Sequence, residues 1–258
     1  MDSVHLKIKR AEKHYAELSS LLSKNNPFKY ILETNYKTGK RATYAKKDDD
    51  TANEAAIIIG DLIHNLRTAL DHAYWKCTEK FAKSEGERKN IQFPITTTEE
   101  ALRESVLPGL PSRVSDSFVM ALEKLKPYRD QGSKLLCAIH DLDIQDKHKI
   151  LIPTGDYTKL SSVIIQKQVP DFPSNLTNCS FGNNHRDVVW KIKAMTWTQR
   201  RKAKVPRSNV IEKELDVPVE IVLSEIDSFR PALEVLQEII NLTKKVSLEL
   251  SIAASTNE

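Results

Sequence analysis

The feature that most constrains the fold of this chain is an uninterrupted stretch from Ala52 to about Lys83. It contains no proline and a single glycine, Gly60, whereas both residue types disfavour the interior of a helix. The acidic run at positions 48 to 50, followed by Thr51, supplies helix-start signals just before it. The stretch therefore predicts one long central helix of about thirty residues.

Apolar residues at helical spacing predict further helices on both sides of this central helix, separated by prolines and glycines. These helices are expected over Ser3 to Leu22, Val114 to Leu125, Lys134 to His148 and Ser224 to Leu250. The polar stretch from Asn35 to Asp50 is expected to form a loop or a hairpin.

Beyond Pro153 the sequence consists of short runs of β-branched residues separated by Asn, Pro and Gly residues. This pattern is typical of strands. The runs are Ser161 to Val169, Val188 to Ala194 and Pro218 to Leu223. We therefore predict an α+β fold that is mainly a helical bundle. Its parts are a helical region over residues 1–152, a small antiparallel β insertion over residues 153–223, and a C-terminal helix over residues 224–258 that packs back on the bundle.

Length and composition exclude several classes of protein. With 258 residues, of which 40% are hydrophobic and 29% charged, the chain can bury a core and is not typical of a disordered protein. We expect neither a membrane span nor export, because there is no apolar run of about 18 residues and no signal-peptide pattern. Three widely spaced cysteines without a C-x-x-C pair argue against a disulfide framework or a thiolate zinc site. A cytoplasmic protein is the resulting expectation, and the formal net charge of +4 permits a nucleic-acid partner without requiring one.

One face of the central helix carries an unusual set of polar residues. At about 100° per residue, its apolar side chains form one arc, and the opposite arc is polar. An ordinary solvated face would be rich in Lys, Glu and Gln. The residues of the polar arc are Asp61, His64, Asn65, Arg67, Thr68, Asp71 and His72. This choice favours a functional site, although the same residues could instead lock the helix to its neighbours.

A second polar set interrupts the apolar face of the predicted helix from Lys134 to His148. It consists of His140, Asp141, Asp143, Asp146, Lys147 and His148. If the two helices pack together, their polar faces would be pooled, and this second set would support the site on the central helix.

The segment Arg67-Thr-Ala-Leu-Asp-His72 matches an R-x4-H signature and resembles the HEPN-domain ribonucleases, which cleave RNA without a metal. With Tyr74 the pattern becomes R-x4-H-x-Y, similar to HEPN toxins whose antitoxins adenylylate that tyrosine. The resemblance implies an RNA endonuclease of toxin or phage-defence type, without cofactor or metal, with a cognate antitoxin or defence partner. A wider likeness over residues 52–152 connects the chain with a widespread bacterial family of unassigned activity. It rests on the segments Gly60 to His72, Gln92 to Ile95 and His140 to His148.

The resemblance suggests a role for each residue. RNA supplies its own nucleophile, the 2′-hydroxyl, so cleavage needs a proton-transfer group with a near-neutral pKa and a cation over the phosphate. We predict that His72 transfers the proton and that Arg67 binds the phosphate. Asp71 would orient either residue, Asn65 would donate to phosphate oxygens, and Tyr74 would be a modification target or an aromatic residue at the core edge. Residues five apart diverge by about 140° on a helix, so the Arg–His pair must converge by bending or meet across a two-fold homodimer.

Two other functions stay open. In the first, a divalent metal for hydrolysis is held by Asp61, His64, His72 and His140, since facing helices supply the ligands of metal sites in bundles. In the second, the protein binds RNA or another protein without catalysis, through a basic run beside Trp197. The basic residues of this run are Arg200, Arg201, Lys202 and Lys204, and the stretch from Lys37 to Lys47 is similar in composition.

Overall fold

A computed structural model describes residues 2–146, 154–156, 166–169, 172, 180–181, 186–203, 210–215, 220–223 and 226–255. The chain forms two compact units. The helical unit comprises Met1–Ser19, Ala56–Leu151 and Leu233–Glu258, and the sheet unit comprises Ser20–Ala55 and Ile152–Ala232. Within the described part of the chain, no helix is both long enough and apolar enough to cross a membrane.

The five longest α-helices in the described part of the chain are those that the sequence predicts. The α-helices are α1 (Ser3–Lys24), α2 (Asp49–Thr78), α3 (Glu85–Lys89), α4 (Glu99–Ala101), α5 (Leu110–Val114), α6 (Asp116–Leu125), α7 (Lys134–Asp146), α8 (Trp197–Lys202) and α9 (Ala232–Ser255). A 3₁₀-helix covers Glu79–Phe81 and a π-helix covers Leu102–Val106. Helices α1, α2, α6, α7 and α9 confirm the five helices that periodicity predicts.

The central helix α2 buries the apolar arc that its periodicity defines. The Thr51 hydroxyl donates to the Asp48 carboxylate at 2.9 Å near the start of the helix. The buried side chains of the arc are Ile58, Ile59, Leu62, Ile63, Leu66, Ala69, Leu70, Ala73, Tyr74 and Cys77. Phe81, which belongs to the same predicted arc, lies beyond the end of α2 and is only half-buried.

Helix α9 packs within the helical unit and supplies much of its core. Cys77 Sγ of α2 donates to the Leu250 carbonyl oxygen at 3.7 Å, and the Ser115 hydroxyl beside α6 donates to the Ala253 carbonyl oxygen at 3.2 Å. The apolar face of α9 is buried at Leu236, Ile239, Ile240, Val246 and Leu250.

The sheet unit contains two antiparallel sheets. The strands are β1 (Phe28–Asn35), β2 (Arg41–Lys47), β3 (Thr154–Asp156), β4 (Ser180–Phe181), β5 (Arg186–Ile192), β6 (Val210–Leu215), β7 (Glu220–Leu223) and β8 (Asp227–Pro231). The strand order is β5-β2-β1-β6 in one sheet and β4-β3-β7-β8 in the other. The α+β prediction is confirmed, and the stretch from Asn35 to Asp50 forms part of a hairpin whose first strand starts upstream, at Phe28.

Two of the predicted element boundaries are wrong. The predicted strand from Ser161 to Val169 is helical at residues 166–168, where Gln and Lys are good helix formers, and residues 161–165 lie outside the described part. The C-terminal helix starts at Ala232 rather than Ser224, since β8 precedes it. Pro231 explains this difference, because it lacks a backbone N–H and disfavours a helical conformation at the residue before it.

Candidate functional site

Helices α2 and α7 bring their polar faces together within the helical unit, as the sequence predicts. His64 Nδ1 lies 2.8 Å from Oδ1 of the buried Asp143. Gly60 permits this close packing, because a Cβ atom at that position would lie 2.3 Å from Asp146 Oδ1. Burial and the charges of Asp61 and Asp143 raise the pKa of Asp146.

Arg67 is held firmly by two partners. It is only 4% exposed, and its Nη2 donates to the Phe93 carbonyl oxygen at 2.9 Å and contacts Asp71 Oδ1 at 2.9 Å. The same Asp71 oxygen accepts a hydrogen bond from Phe93 N at 2.8 Å. Arg67 and Asp71 together therefore hold both polar atoms of the Phe93 backbone and fasten that segment to α2.

Two buried nitrogen atoms close to this arrangement, Arg67 Nη1 and His140 Nδ1, have no hydrogen-bond partner among the described residues. Both residues line one cavity of about 440 Å³ in the helical unit. A buried donor left unsatisfied costs about 1–3 kcal/mol, and more when it is charged. A guanidinium and an imidazole that share a cavity in this way form a site that a polar or anionic ligand would satisfy.

The walls of this cavity combine polar and apolar residues and come from distant parts of the sequence. Residues 93–95 form one wall, and Leu110 and Pro111 form another. Tyr74 of α2 also lines the cavity, with its ring edge-to-face against Phe93 at a centroid distance of 6.2 Å. The end of the π-helix contributes Val106. π-Helices are rare and occur frequently at functional sites, which agrees with a role for this cavity.

Hydrogen bonds outside the cavity fix these walls in place. Thr96 N donates to the Pro127 carbonyl oxygen at 2.9 Å. On the opposite side, Arg113 Nε donates to the Gly109 carbonyl oxygen at 3.2 Å, and the Arg113 guanidinium pairs with the Glu87 carboxylate. The cavity is therefore preformed by its own backbone and ion-pair contacts.

The charges around the cavity favour a neutral histidine next to a cation. Burial, and then the charge of Arg67, lower the pKa of His140 below its ordinary value, against the smaller opposing effect of Asp141. Burial also lowers the pKa of Arg67, but a guanidinium stays protonated in proteins. Burial raises the pKa of Asp71, while Arg67 and the Phe93 backbone N–H act in the opposite direction. At neutral pH the site thus offers a positive donor and an imidazole able to accept a proton.

Three other residues that the sequence predicts for the site are His72, Asn65 and Tyr74, and neither His72 nor Asn65 lines the cavity. His72 is half-buried and does not line the cavity, and its Nδ1 is buried without a partner among the described residues. The Asn65 side chain donates to the Asp61 carbonyl oxygen one turn back, at 2.7 Å, so its amide is engaged within α2. Tyr74 is 4% exposed, which agrees with an aromatic residue at the core edge rather than an accessible modification target.

The residues of the alternative metal site do not converge. Among the residues that the structure describes, no three His, Cys, Asp or Glu side chains are grouped so that they could hold a metal ion. His64 pairs with Asp143, and His140 lines the cavity with Arg67. The predicted supporting residues Lys147 and His148, together with Lys204 of the basic run, lie outside the described part of the chain.

Apart from Tyr74, the residues that build the cavity walls are not predicted as site residues by the sequence, and His140 is predicted as a supporting residue or, in the alternative function, as a metal ligand. A signal was present for one wall, because Gln92 to Ile95 belongs to the segments that resemble the bacterial family. No local pattern indicated the π-helix or Gly109 to Pro111, since they reach the cavity through long-range packing.

Comparisons with protein-family models, with curated proteins and with solved structures found no match for this chain. The resemblance to HEPN ribonucleases therefore stays a prediction.

Proposed function

We propose that this protein is a cytoplasmic, metal-independent RNA endonuclease whose reaction takes place in the cavity lined by Arg67 and His140. The observation that carries the proposal is that Arg67 and His140 line one cavity and that each has a buried nitrogen, Nη1 and Nδ1, without a hydrogen-bond partner in the described part of the chain. The proposal keeps the activity that the R-x4-H resemblance implies and assigns proton transfer to His140 in place of His72.

The phosphate of the RNA backbone is the ligand that suits Arg67. Its Nη2 is already occupied by Asp71 and Phe93, which orients the guanidinium and leaves Nη1 for a phosphate oxygen. A donor fixed before the ligand arrives stabilises developing charge without reorganisation. The cavity, at about 440 Å³, lies within the size range of small-molecule sites, and its apolar wall can contact a nucleobase.

Cleavage then follows from the proton affinity of His140. Because its pKa is lowered, the imidazole is neutral near pH 7 and can accept the proton of the 2′-hydroxyl. The 2′-oxygen bonds to phosphorus as the bond from phosphorus to the 5′-oxygen breaks, and the 5′-oxygen leaves as an alcohol after taking a proton from water. Arg67 stabilises the added negative charge, and the products carry a 2′,3′-cyclic phosphate and a 5′-hydroxyl.

One observation favours a second candidate function, a binding module without catalysis. Arg67 and Asp71 fasten the Phe93 backbone to α2, which is a structural role that needs no reaction. In that case the cavity would bind an anionic ligand, and substitutions would change affinity or stability but not chemistry.

The experiment is an RNA cleavage assay in EDTA with a labelled single-stranded RNA and a DNA of the same sequence. We expect RNA cleavage with 2′,3′-cyclic phosphate ends and intact DNA, since DNA lacks the 2′-hydroxyl. His140→Gln should lower the cleavage rate by roughly 10²- to 10⁴-fold, as expected for loss of general acid–base catalysis. Arg67→Lys should also be impaired, because a point charge does not reproduce the planar guanidinium.

His72→Gln is the matched control, because it removes a histidine from the same unit that does not line the cavity. This variant should cleave as the wild type does. Full activity of a folded His140→Gln protein would overturn the assignment, and loss of activity in His72→Gln alone would restore the original Arg67–His72 pair. Absence of RNA cleavage by the wild type would favour the binding module.

A further inference from the structure

The two basic stretches that the sequence presents separately lie side by side in the sheet unit. Arg200 Nη1 donates to the carbonyl oxygen of Lys37, in the turn between β1 and β2, at 2.7 Å. The two residues are 163 positions apart in the sequence. Met195 N donates to the Gly39 carbonyl oxygen at 2.8 Å. This approach requires glycine, since Gly39 has a φ of +78° and a Cβ atom there would lie 2.6 Å from Met195 O.

The joined segments concentrate the positive charge of the chain. Residues 36–47 and 188–203 contain ten of its 39 Lys and Arg residues and none of its 35 Asp and Glu residues. The remainder of the chain holds 29 basic and 35 acidic residues, so the net positive charge of the protein originates in these segments. The exposed cations among them are Lys37, Lys40, Lys46, Lys191, Lys193, Arg201 and Lys202.

The exposed indole ring of Trp197 lies in the same segments as these cations. Trp197, at the first position of α8, is 51% exposed, and the Arg201 guanidinium lies 5.1 Å from the centroid of its ring. A capping box between Thr196 and Gln199 fixes the start of α8. The indole is therefore presented on an ordered element with a cation beside it.

Arg200 has a different role from its neighbours in the same run. Its guanidinium is used on the carbonyl oxygens of the β1–β2 turn, and its Nε is buried. Arg200 positions the two segments against each other, whereas Arg201 and Lys202 are exposed and available to a ligand. The sequence groups Arg200 with Arg201, Lys202 and Lys204 as RNA contacts, whereas the structure gives Arg200 this positioning contact.

We infer that the basic surface, defined as Lys37, Lys40, Trp197, Arg201 and Lys202, binds single-stranded nucleic acid. The cations match a phosphate backbone, and the exposed indole offers a face on which a base can stack, which a duplex keeps inside its own stack. This inference does not depend on cleavage, and it concerns a surface of the sheet unit rather than the cavity of the helical unit.

The test is a fluorescence-anisotropy titration of the full chain with a labelled 2′-O-methyl RNA of about 12 nucleotides, a length within the usual range of single-strand sites. This probe cannot be cleaved, because its 2′-oxygen carries no proton to remove. Trp197→Ala should weaken binding by roughly 5- to 150-fold, the range for loss of one stacked base. The triple variant Lys40→Ala/Arg201→Ala/Lys202→Ala should weaken binding and reduce the slope of log K against log salt by about 2.

A matched control removes the same number of exposed cations from α1, in the variant Lys9→Ala/Arg10→Ala/Lys13→Ala. It should bind as the wild type does. An equal loss of binding in the α1 control and in the basic-surface triple variant would overturn the inference. So would equal affinity for a duplex of the same sequence, or for vesicles of anionic phospholipid, because neither offers unstacked bases.

The outcomes also separate this inference from the proposed function. Normal RNA cleavage together with unaltered 2′-O-methyl RNA binding by the basic-surface variants would overturn the inference alone. Binding that depends on these residues, in a protein that does not cleave RNA, would overturn the proposed function alone.

Discussion

At the scale of the residue, Arg67 explains how a structural contact and a ligand contact can coexist in one side chain. Its Nη2 contacts the Phe93 carbonyl oxygen and Asp71, while its Nη1 is buried without a partner among the described residues. These two contacts of Nη2 fix the orientation of the guanidinium, which a catalytic cation needs. Arg67 also affects His140, because the positive charge of Arg67 adds to the effect of burial in lowering the pKa of His140.

The lowered pKa of His140 predicts a specific pH dependence of stability. Above about pH 6.5, the value of an unperturbed histidine, the side chain is neutral in both the folded and the unfolded chain and contributes nothing to the dependence. Below that pH the unfolded chain binds a proton that the folded protein resists, so the free energy of unfolding falls as the pH drops. His140→Gln should therefore lose less stability than the wild type between pH 7.5 and 5.5, as measured by urea unfolding.

The comparison between the two proteins isolates this histidine from other groups. The raised pKa values of Asp71 and Asp146 act in the opposite direction, and these residues are present in both proteins. An identical pH dependence in the His140→Gln variant would show that the histidine is not buried beside a cation.

At the scale of the element, α2 shows what a sequence can and cannot predict. Its length, its start and its buried arc follow from helical periodicity and from the absence of proline, because these are local properties. Gly60 is different. The sequence presents it as a weakness in a helix, whereas the structure uses it for the approach of the Asp146 carboxylate from α7, which is a long-range contact.

Gly60→Ala should therefore destabilise the protein. In a free helix the change would add up to about 1 kcal/mol of stability, but a Cβ atom 2.3 Å from Asp146 Oδ1 forces the Asp146 carboxylate away from α2, at a typical overpacking cost of about 1–3 kcal/mol. Thermal unfolding measures the result, and Asp146→Ala in the same chain should restore stability. Gly86→Ala in α3 is the matched control, because a Cβ atom there would lie 3.9 Å from Ser84 Oγ, and it should be neutral or stabilising. A stabilised Gly60→Ala protein would contradict the packing described for α2 and α7.

At the scale of the whole molecule, the limits of sequence-based prediction have a common cause. Strand β1 pairs with β6, from Tyr30 opposite Leu215 to Asn35 opposite Val210, and no local pattern encodes a partner so far along the chain. The cavity combines α2, residues 92–96, the π-helix and α7 in the same way. The R-x4-H spacing pairs Arg67 with its sequence neighbour His72, whereas His140, from a distant part of the sequence, lines the same cavity as Arg67.

The geometry of the cavity also bears on assembly. Arg67 and His140 come from one chain, so this cavity needs no second copy to bring a cation and an imidazole together. The two-fold homodimer expected for a composite Arg67–His72 site stays a prediction, as does a cognate antitoxin partner. Neither is required by the proposed chemistry.

The most direct test of the central claim is calorimetric titration of the protein with a nucleoside 3′-monophosphate, which carries the phosphate but cannot be cleaved. We predict one site per chain, strongly weakened binding in Arg67→Lys and in His140→Gln, and wild-type binding in His72→Gln. Wild-type affinity in folded Arg67→Lys and His140→Gln proteins, or no binding by the wild type, would contradict the claim that this cavity holds the phosphate of RNA.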